Sequence, residues 1–218
     1  MEPFVRIKGV AAPLPIDNVD TDAIIPSRET QSVARTGYGE KLFANWRYAP
    51  GTRDRNADFV LNQAPFDSAC ILVAARNFGC GSSREAAVWA LSQFGIRCVI
   101  AESFGTIFRN NCVRNGLLPI IMPLATVELL LDQLQDQAQD PIISVDLDAQ
   151  TIHGPDGAEY PFQIGALERE MLLNGADEID LTLQKRHLIE AFRQQDRARR
   201  PWVYQDMPEL ARTMEKVR

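Results

Sequence analysis

Apolar positions along the chain follow first a two-residue rhythm and then a helical one. Phe4 to Val10 alternates apolar and polar side chains, which predicts a strand. Pro13 to Pro26 interleaves apolar residues with carboxylates and closes on a proline. Residues 27–39 are polar and contain Arg28, Arg35, Gly37 and Gly39, which predicts a mobile loop. Tyr38 to Trp46 suits a short helix, and 45–56 reads as irregular. The middle of the chain is the most regular. Cys70 to Ala74 is an unbroken apolar run between polar flanks, the signature of a strand covered on both faces. Arg84 to Phe94 has helical spacing, with Ala87, Leu91 and Phe94 on one face, and Gly95 stops it. A strand over 97–101, a helix over 103–115 ended by Gly116, and a strand over 117–122 follow; Pro119 makes that last strand an edge or irregular one.

Strand and helix alternating from 70 to 122 predict a central βαβαβ unit with parallel strands, so the fold class is α/β. Thr126 to Gln137 reads as an amphipathic helix, and short alternating runs over 142–164 flank a hairpin signal at Gly154-Pro155-Asp156-Gly157. A helix over 166–174 is capped by Gly175. From Gln184 to Arg200 the chain is basic with helical spacing. No internal repeat or linker divides it. The expectation is one domain over 1–218, with its core at about 1–165 and a helical C-terminal extension at about 166–218.

Composition narrows the function. With 45% hydrophobic and 24% charged residues in 218, the chain has the make-up of an ordinary globular protein with a sizeable core. A net charge of −6 argues against nucleic-acid binding, which needs a basic surface. The longest apolar run, Ala69 to Ala75, is far shorter than the roughly 20 residues of a membrane-spanning helix. The N-terminus shows neither a basic n-region nor an apolar h-region, so no signal peptide is expected and a cytoplasmic location is. The four cysteines at 70, 80, 98 and 112 have no metal-ligand spacing and only two histidines to help, so free thiols and no metal site are expected.

One motif carries chemistry. Asn77-Phe78-Gly79-Cys80-Gly81-Ser82-Ser83-Arg84-Glu85 lies between a predicted buried strand and a predicted helix. Its glycines allow close approach of backbone to a ligand. Ser82 and Glu85 have capping-box spacing, which would start the helix there and aim its N–H groups and positive dipole end at an anion. Arg84 adds a planar fork suited to a carboxylate. Spacing alone leaves a tight turn with an ordinary cap equally open. No Lys follows Gly81 as a P-loop requires, and the third glycine of a dinucleotide fingerprint is missing. Cys80 as a nucleophile is the weaker reading, because both histidines are distant in sequence.

The run from Ala75 to Glu85, with Asp20-Thr21-Asp22-Ala23-Ile24-Ile25-Pro26 upstream, resembles the small subunit of 3-isopropylmalate dehydratase. The stretches 35–39, 42–47, 101–111 and 115–120 fit the same family in the same order, so the resemblance spans nearly the whole chain. It implies the swivelling β/β/α domain of the aconitase superfamily. It also implies a heteromeric hydro-lyase that interconverts 2- and 3-isopropylmalate through isopropylmaleate in leucine biosynthesis.

The resemblance further implies that this chain binds no cofactor itself and that a [4Fe-4S] cluster sits on a partner large subunit. By position, Ser82 matches the serine base, and Ser83 and Arg84 a carboxylate-binding pair. Arg35 and Thr36 lie in the segment that would read the substrate's variable group, with Arg28 as a competing ligand. Asp22, Asp20 and Glu85 would support the site, although capping of a turn stands as a second reading for both aspartates. Arg109 reads as a helix-surface or interface residue ahead of a ligand. The basic segment 185–200 with Trp202 is either a solvated face or a docking face for the large subunit. Two alternatives remain: the same chemistry on citraconate/2-methylmalate or homoaconitate, and a non-catalytic anion-binding assembly module.

Overall fold

A computed structural model describes residues 1–30, 36–82, 84–136 and 140–204. Among these, strands β1 (Arg6–Leu14), β2 (Ile71–Ala74), β3 (Cys98–Ala101), β4 (Leu118–Ile121), β5 (Ile142–Asp146), β6 (Thr151–His153) and β7 (Glu159–Pro161) form one sheet in the order β4-β3-β2-β1-β5-β6-β7. The helices are α1 (Thr21–Ile24), α2 (Ala44–Arg47), α3 (Glu85–Phe94), α4 (Thr106–Arg114), α5 (Leu124–Asp136), α6 (Ala166–Asn174), α7 (Glu178–Gln184) and α8 (Arg186–Arg199). The chain divides into two compact units, Met1–Ala176 and Asp177–Arg218, so α6 belongs to the first.

β1 joins two kinds of sheet. Its first half, Arg6 to Val10, pairs antiparallel with β5, and its second half, Ala11 to Leu14, pairs parallel with β2. The predicted strand stops at Val10, but the observed one runs four residues further, through Ala11-Ala12-Pro13-Leu14. Pro13 is tolerated there because β5 pairs only as far as Val10, so that stretch has a strand partner on one side only. The βαβαβ unit is observed as β2-α3-β3-α4-β4 with parallel pairing throughout. All four residues of β2 and all four of β3 are buried, as the unbroken apolar runs require. β4, with Pro119, is the sheet edge. The β6–β7 hairpin turns at Gly154 to Gly157, where Gly157 has φ 80° and donates its N–H to the Gly154 carbonyl at 3.0 Å.

The segment between α1 and β2 is less regular, and a buried arginine organises it. Arg47 donates to the Gly39 carbonyl at 3.0 Å and to Asn62 Oδ1 at 3.3 Å, and its guanidinium lies over the Phe94 ring. Burial lowers its pKa from the usual arginine value. The predicted helix over 38–46 is instead a 3-10 turn at Gly39–Lys41 followed by α2. In the second unit, the single predicted helix from 184 is preceded by α7, which Asp177 starts by accepting from the Asp180 N–H at 2.7 Å. Asp196 on α8 accepts from Arg200 and from the Tyr204 hydroxyl, closing the last turn.

Candidate active site

Parallel strands leave their C-terminal ends facing one edge of the sheet, where crossover loops gather and ligands commonly bind. Here the segments after β1, β2 and β3 are bonded to one another. Gly79 donates its N–H to the Val19 carbonyl at 2.7 Å, and Thr21 donates to the Cys80 carbonyl at 3.1 Å. On the other side, Phe78 donates to the Ser103 carbonyl at 3.0 Å and Gly105 to the Phe78 carbonyl at 2.9 Å. The glycine-rich loop is thus a middle rung between its two neighbours. Side chains reinforce it: Arg76 pairs with Asp17 at 2.9 Å, and the Asn77 amide donates to Asn18 Oδ1 at 2.8 Å.

Beneath the loop the Phe78 ring packs edge-on to Phe104 and Phe108, with centroids 6.4 and 5.5 Å away. Gly79 has φ +71°, and a Cβ there would meet the Phe108 ring at 2.2 Å. Gly105 has room for no side chain either, because its Cβ would lie 2.3 Å from the Gly79 carbonyl oxygen. These two glycines let the loop lie directly on α4.

Ser82 stands at the exposed end of this loop, with its carbonyl accepting from the Thr21 hydroxyl at 2.7 Å. Among the described residues its own hydroxyl makes no hydrogen bond. The predicted capping box does not form. α3 starts at Glu85, with Arg84 as its N-cap residue in extended geometry and no side-chain cap bond. The reason is tertiary. Thr21 holds the Ser82 backbone toward α1, and Glu85 accepts from the Asn115 amide at the end of α4 at 3.1 Å. Neither group is left where a capping box would need it.

Arg84 turns its guanidinium onto Asp22 in a bidentate pair, Nη1 to Oδ1 at 2.5 Å and Nη2 to Oδ2 at 3.0 Å. The same Asp22 Oδ1 accepts from the Ser27 hydroxyl at 2.8 Å and from the Ser27 N–H at 3.2 Å. Hydrogen bonds from Arg84 first and Ser27 second hold the Asp22 carboxyl below its ordinary value of 3.8. A carboxyl depressed on folding contributes stability above its unfolded pKa and loses it as the pH falls through the folded one. The expected result is an Asp22 side-chain carbon signal that titrates below the usual aspartate range in a pH series, and moves back up in Arg84→Gln. An ordinary midpoint in the wild type would contradict the pairing. Asp20 behaves differently: its carboxylate caps α1, accepting from the Ala23 N–H at 2.7 Å.

The structure therefore brings Asp20, Asp22, Ser82 and Arg84 together. Ser83 and Arg35 lie outside the described residues. Thr36 is exposed with no contact to this group among the described hydrogen bonds. Arg28 sits on the 3-10 turn Ser27–Thr30, one residue after the Asp22 contact, and lines a cleft of about 810 Å³ with Glu29, Tyr48 and Arg53. Its Nε is 3.6 Å from Glu29, which Arg53 also pairs with at 2.7 Å. Arg109 is paired with Glu168 on α6 at 2.5 and 2.7 Å, so it braces α4 within the first unit. Thr21, Ser27 and the Phe78–Phe104–Phe108 group were not anticipated. Only the aromatic spacing of 104 and 108, one helical turn apart, left any signal in the sequence.

The cysteines do not suit a cluster. Cys98 and Cys112 are fully buried, and burial pushes both thiols well above their ordinary value of 9.0; Cys70 is raised for the same reason. Among the described residues no group of three His, Cys, Asp or Glu is placed to hold a metal ion. Among the same residues no helix is long and apolar enough to cross a membrane.

Comparison with known proteins adds to this geometry. The family model described as Aconitase C-terminal domain matches residues 1–124, and a second described as LeuD_N matches 130–166. A 3-isopropylmalate dehydratase small subunit from Cupriavidus necator is 54% identical over 208 residues, covering 94% of this chain and all of that protein. One from Sinorhizobium fredii is 51% identical, covering 93% of this chain and all of its own. The crystal structure of a 3-isopropylmalate dehydratase from Methanocaldococcus jannaschii superposes with a TM-score of 0.60 at 33% identity. It covers 86% of this chain and 99% of that one.

Proposed function

Because the chain belongs to the family of 3-isopropylmalate dehydratase small subunits, in the aconitase superfamily, we propose that it is the base-supplying and carboxylate-binding half of a split hydro-lyase. Its substrates would be 2- and 3-isopropylmalate, interconverted through isopropylmaleate in leucine biosynthesis, in the cytoplasm. The observation that carries this reading is that the loop ending in exposed Ser82, whose hydroxyl makes no hydrogen bond among the described residues, leads directly to Arg84 at the start of α3, where the segments after three parallel strands gather.

The reaction sets three requirements. A base must take the proton beside a carboxylate, cations must hold the substrate's carboxylates, and the hydroxyl must be helped to leave. Ser82 Oγ is the proposed base. A serine hydroxyl is a weak acid, so its alkoxide needs stabilisation, which is proposed to come from the free backbone N–H groups and positive dipole end at the start of α3. Arg84 uses its end-on edge for Asp22 and keeps its Nε edge for a substrate carboxylate. Ser83, Arg35, Thr36 and Arg28 are proposed as further substrate contacts, with Asp20 and Glu85 fixing the turn and the helix start. The proton taken by Ser82 and the hydroxide lost make one water, so isopropylmaleate plus water is the balanced midpoint. A [4Fe-4S] cluster on a large subunit would supply the Lewis acid for the leaving hydroxyl. The swivel domain is proposed to comprise the whole chain, with its helical C-terminal extension facing that partner or solvent.

The test is hydration of isopropylmaleate under anaerobic conditions, by this chain alone, by an iron–sulfur large subunit alone, and by both together. Turnover is expected only in the mixture. Turnover by the chain alone would end the two-subunit reading. A mixture that forms a complex but hydrates only citraconate or homoaconitate would replace the substrate and keep the chemistry.

A further inference from the structure

Asp22 is placed to do more than balance a charge. Its Oδ1 is a shared acceptor for Arg84 Nη1 and for both the N–H and the hydroxyl of Ser27. Ser27 opens the 3-10 turn that carries Arg28 and Glu29 into the wall of the cleft beside Tyr48 and Arg53. The partners come from separate places: Arg84 is 62 residues from Asp22, at the start of α3, and Ser27 follows α1. Glu29 is itself fixed, since Lys41 donates to its carbonyl at 2.8 Å and Arg53 to its carboxylate at 2.7 Å.

Arg84 has five N–H donors in a rigid plane. The end-on edge goes to Asp22, and among the described residues its Nε makes no hydrogen bond. A guanidinium held on one edge has its plane fixed, so the remaining edge is presented in one orientation. Ser27 in turn restrains the carboxylate that does the holding.

We propose that Asp22 and Ser27 are positioning residues that fix the Arg84 guanidinium plane for a substrate carboxylate and tie that plane to the turn carrying Arg28 and Glu29. This rests on Arg84 being a carboxylate ligand, as above. Among the described hydrogen bonds Ser27 joins neither Arg84 nor Ser82, so its link to the guanidinium runs through Asp22. Loss of either positioning residue leaves Arg84 present but mobile, which weakens binding of ground state and transition state alike and so raises KM with little change in kcat.

The experiment compares wild type, Asp22→Asn, Ser27→Ala and the double variant, each in complex with the large subunit. Each single change is expected to raise KM for isopropylmaleate roughly tenfold, the scale of one lost charge-assisted hydrogen bond, and to change kcat less than about threefold. The double variant should be no worse than the more damaging single one, because both act on one guanidinium. In the free subunit, the Arg84 Nε–H signal in a nitrogen–proton NMR spectrum should shift in Ser27→Ala as it does in Asp22→Asn. That measurement needs no turnover, so it stands apart from the functional reading, which full activity of Ser82→Ala in the same complex would overturn. An unmoved Nε–H signal in Ser27→Ala would overturn the relay. So would a KM at the wild-type value with only a lowered melting temperature, or single effects that multiply in the double variant.

Discussion

Ser82→Ala is expected to lower turnover of the assembled enzyme by about 10² to 10⁴, the usual contribution of a positioned acid–base group, with the complex still forming and melting as the wild type does. The structure explains why the loss should be confined to chemistry. Ser82 is exposed, and its structural bond is made by its carbonyl, which accepts from Thr21 and survives the substitution. The hydroxyl makes no hydrogen bond among the described residues, so deleting it removes no packing and strands no buried partner. The measurement is kcat for isopropylmaleate hydration, set beside a thermal melt of the same preparation. Undiminished turnover would remove Ser82 from the mechanism and favour a subunit that only binds and assembles.

Gly79→Ala should act in the opposite way, through the fold. A non-glycine residue at φ +71° costs about 1–2 kcal/mol. The new methyl would also sit 2.2 Å from the Phe108 ring, and overpacking of that kind costs about 1–3 kcal/mol. Phe108 cannot retreat freely, because it is fully buried, stacked on Phe104 and met edge-on by Phe78. The sum, about 2–5 kcal/mol, corresponds to a melting temperature lower by roughly 5–15 °C for a chain of this size. Gly51→Ala is the control, since Gly51 has φ +76° but nothing within 4 Å of its Cβ, so only the backbone strain remains. If both variants lost the same stability, the close approach of the loop to α4 would not be a constraint. Activity of Gly79→Ala should also fall, because the loop that carries Ser82 can no longer rest on Phe108.

Much of the parallel half of the sheet was legible locally. Cys70–Ala74 and Arg97–Ala101 are too apolar to face water on either side, and they became β2 and β3 with every residue buried. Gly95, Gly116 and Gly175 ended their helices at positive φ, where a side chain is disfavoured. The hairpin turn at 154–157 followed from its Gly-Pro-Asp-Gly composition. The misses have a common cause. Val10 looked like a strand end because Ala11-Ala12-Pro13 has poor strand propensity, yet pairing with β2 carried the strand to Leu14. Likewise Ser-x-x-Glu spacing predicted a cap, and contacts from Thr21 and Asn115 took the two groups elsewhere.

By itself, then, the sequence determined the fold class, the order of the elements and the segment that bears Ser82 and Arg84. These depend on periodicity, burial preference and turn chemistry within about ten residues, and a similar order of motifs made the family recognisable. Only the tertiary structure decided which carboxylate meets Arg84, that Asp20 caps a helix while Asp22 faces the site, and that Ser27 belongs to the same network. Each of those contacts turns on hydrogen-bond directions set by side chains and backbone from separate loops, in the case of Arg84 and Asp22 62 residues apart. Such directions are fixed only once three parallel strands bring their C-terminal ends to one edge, and no local pattern encodes that.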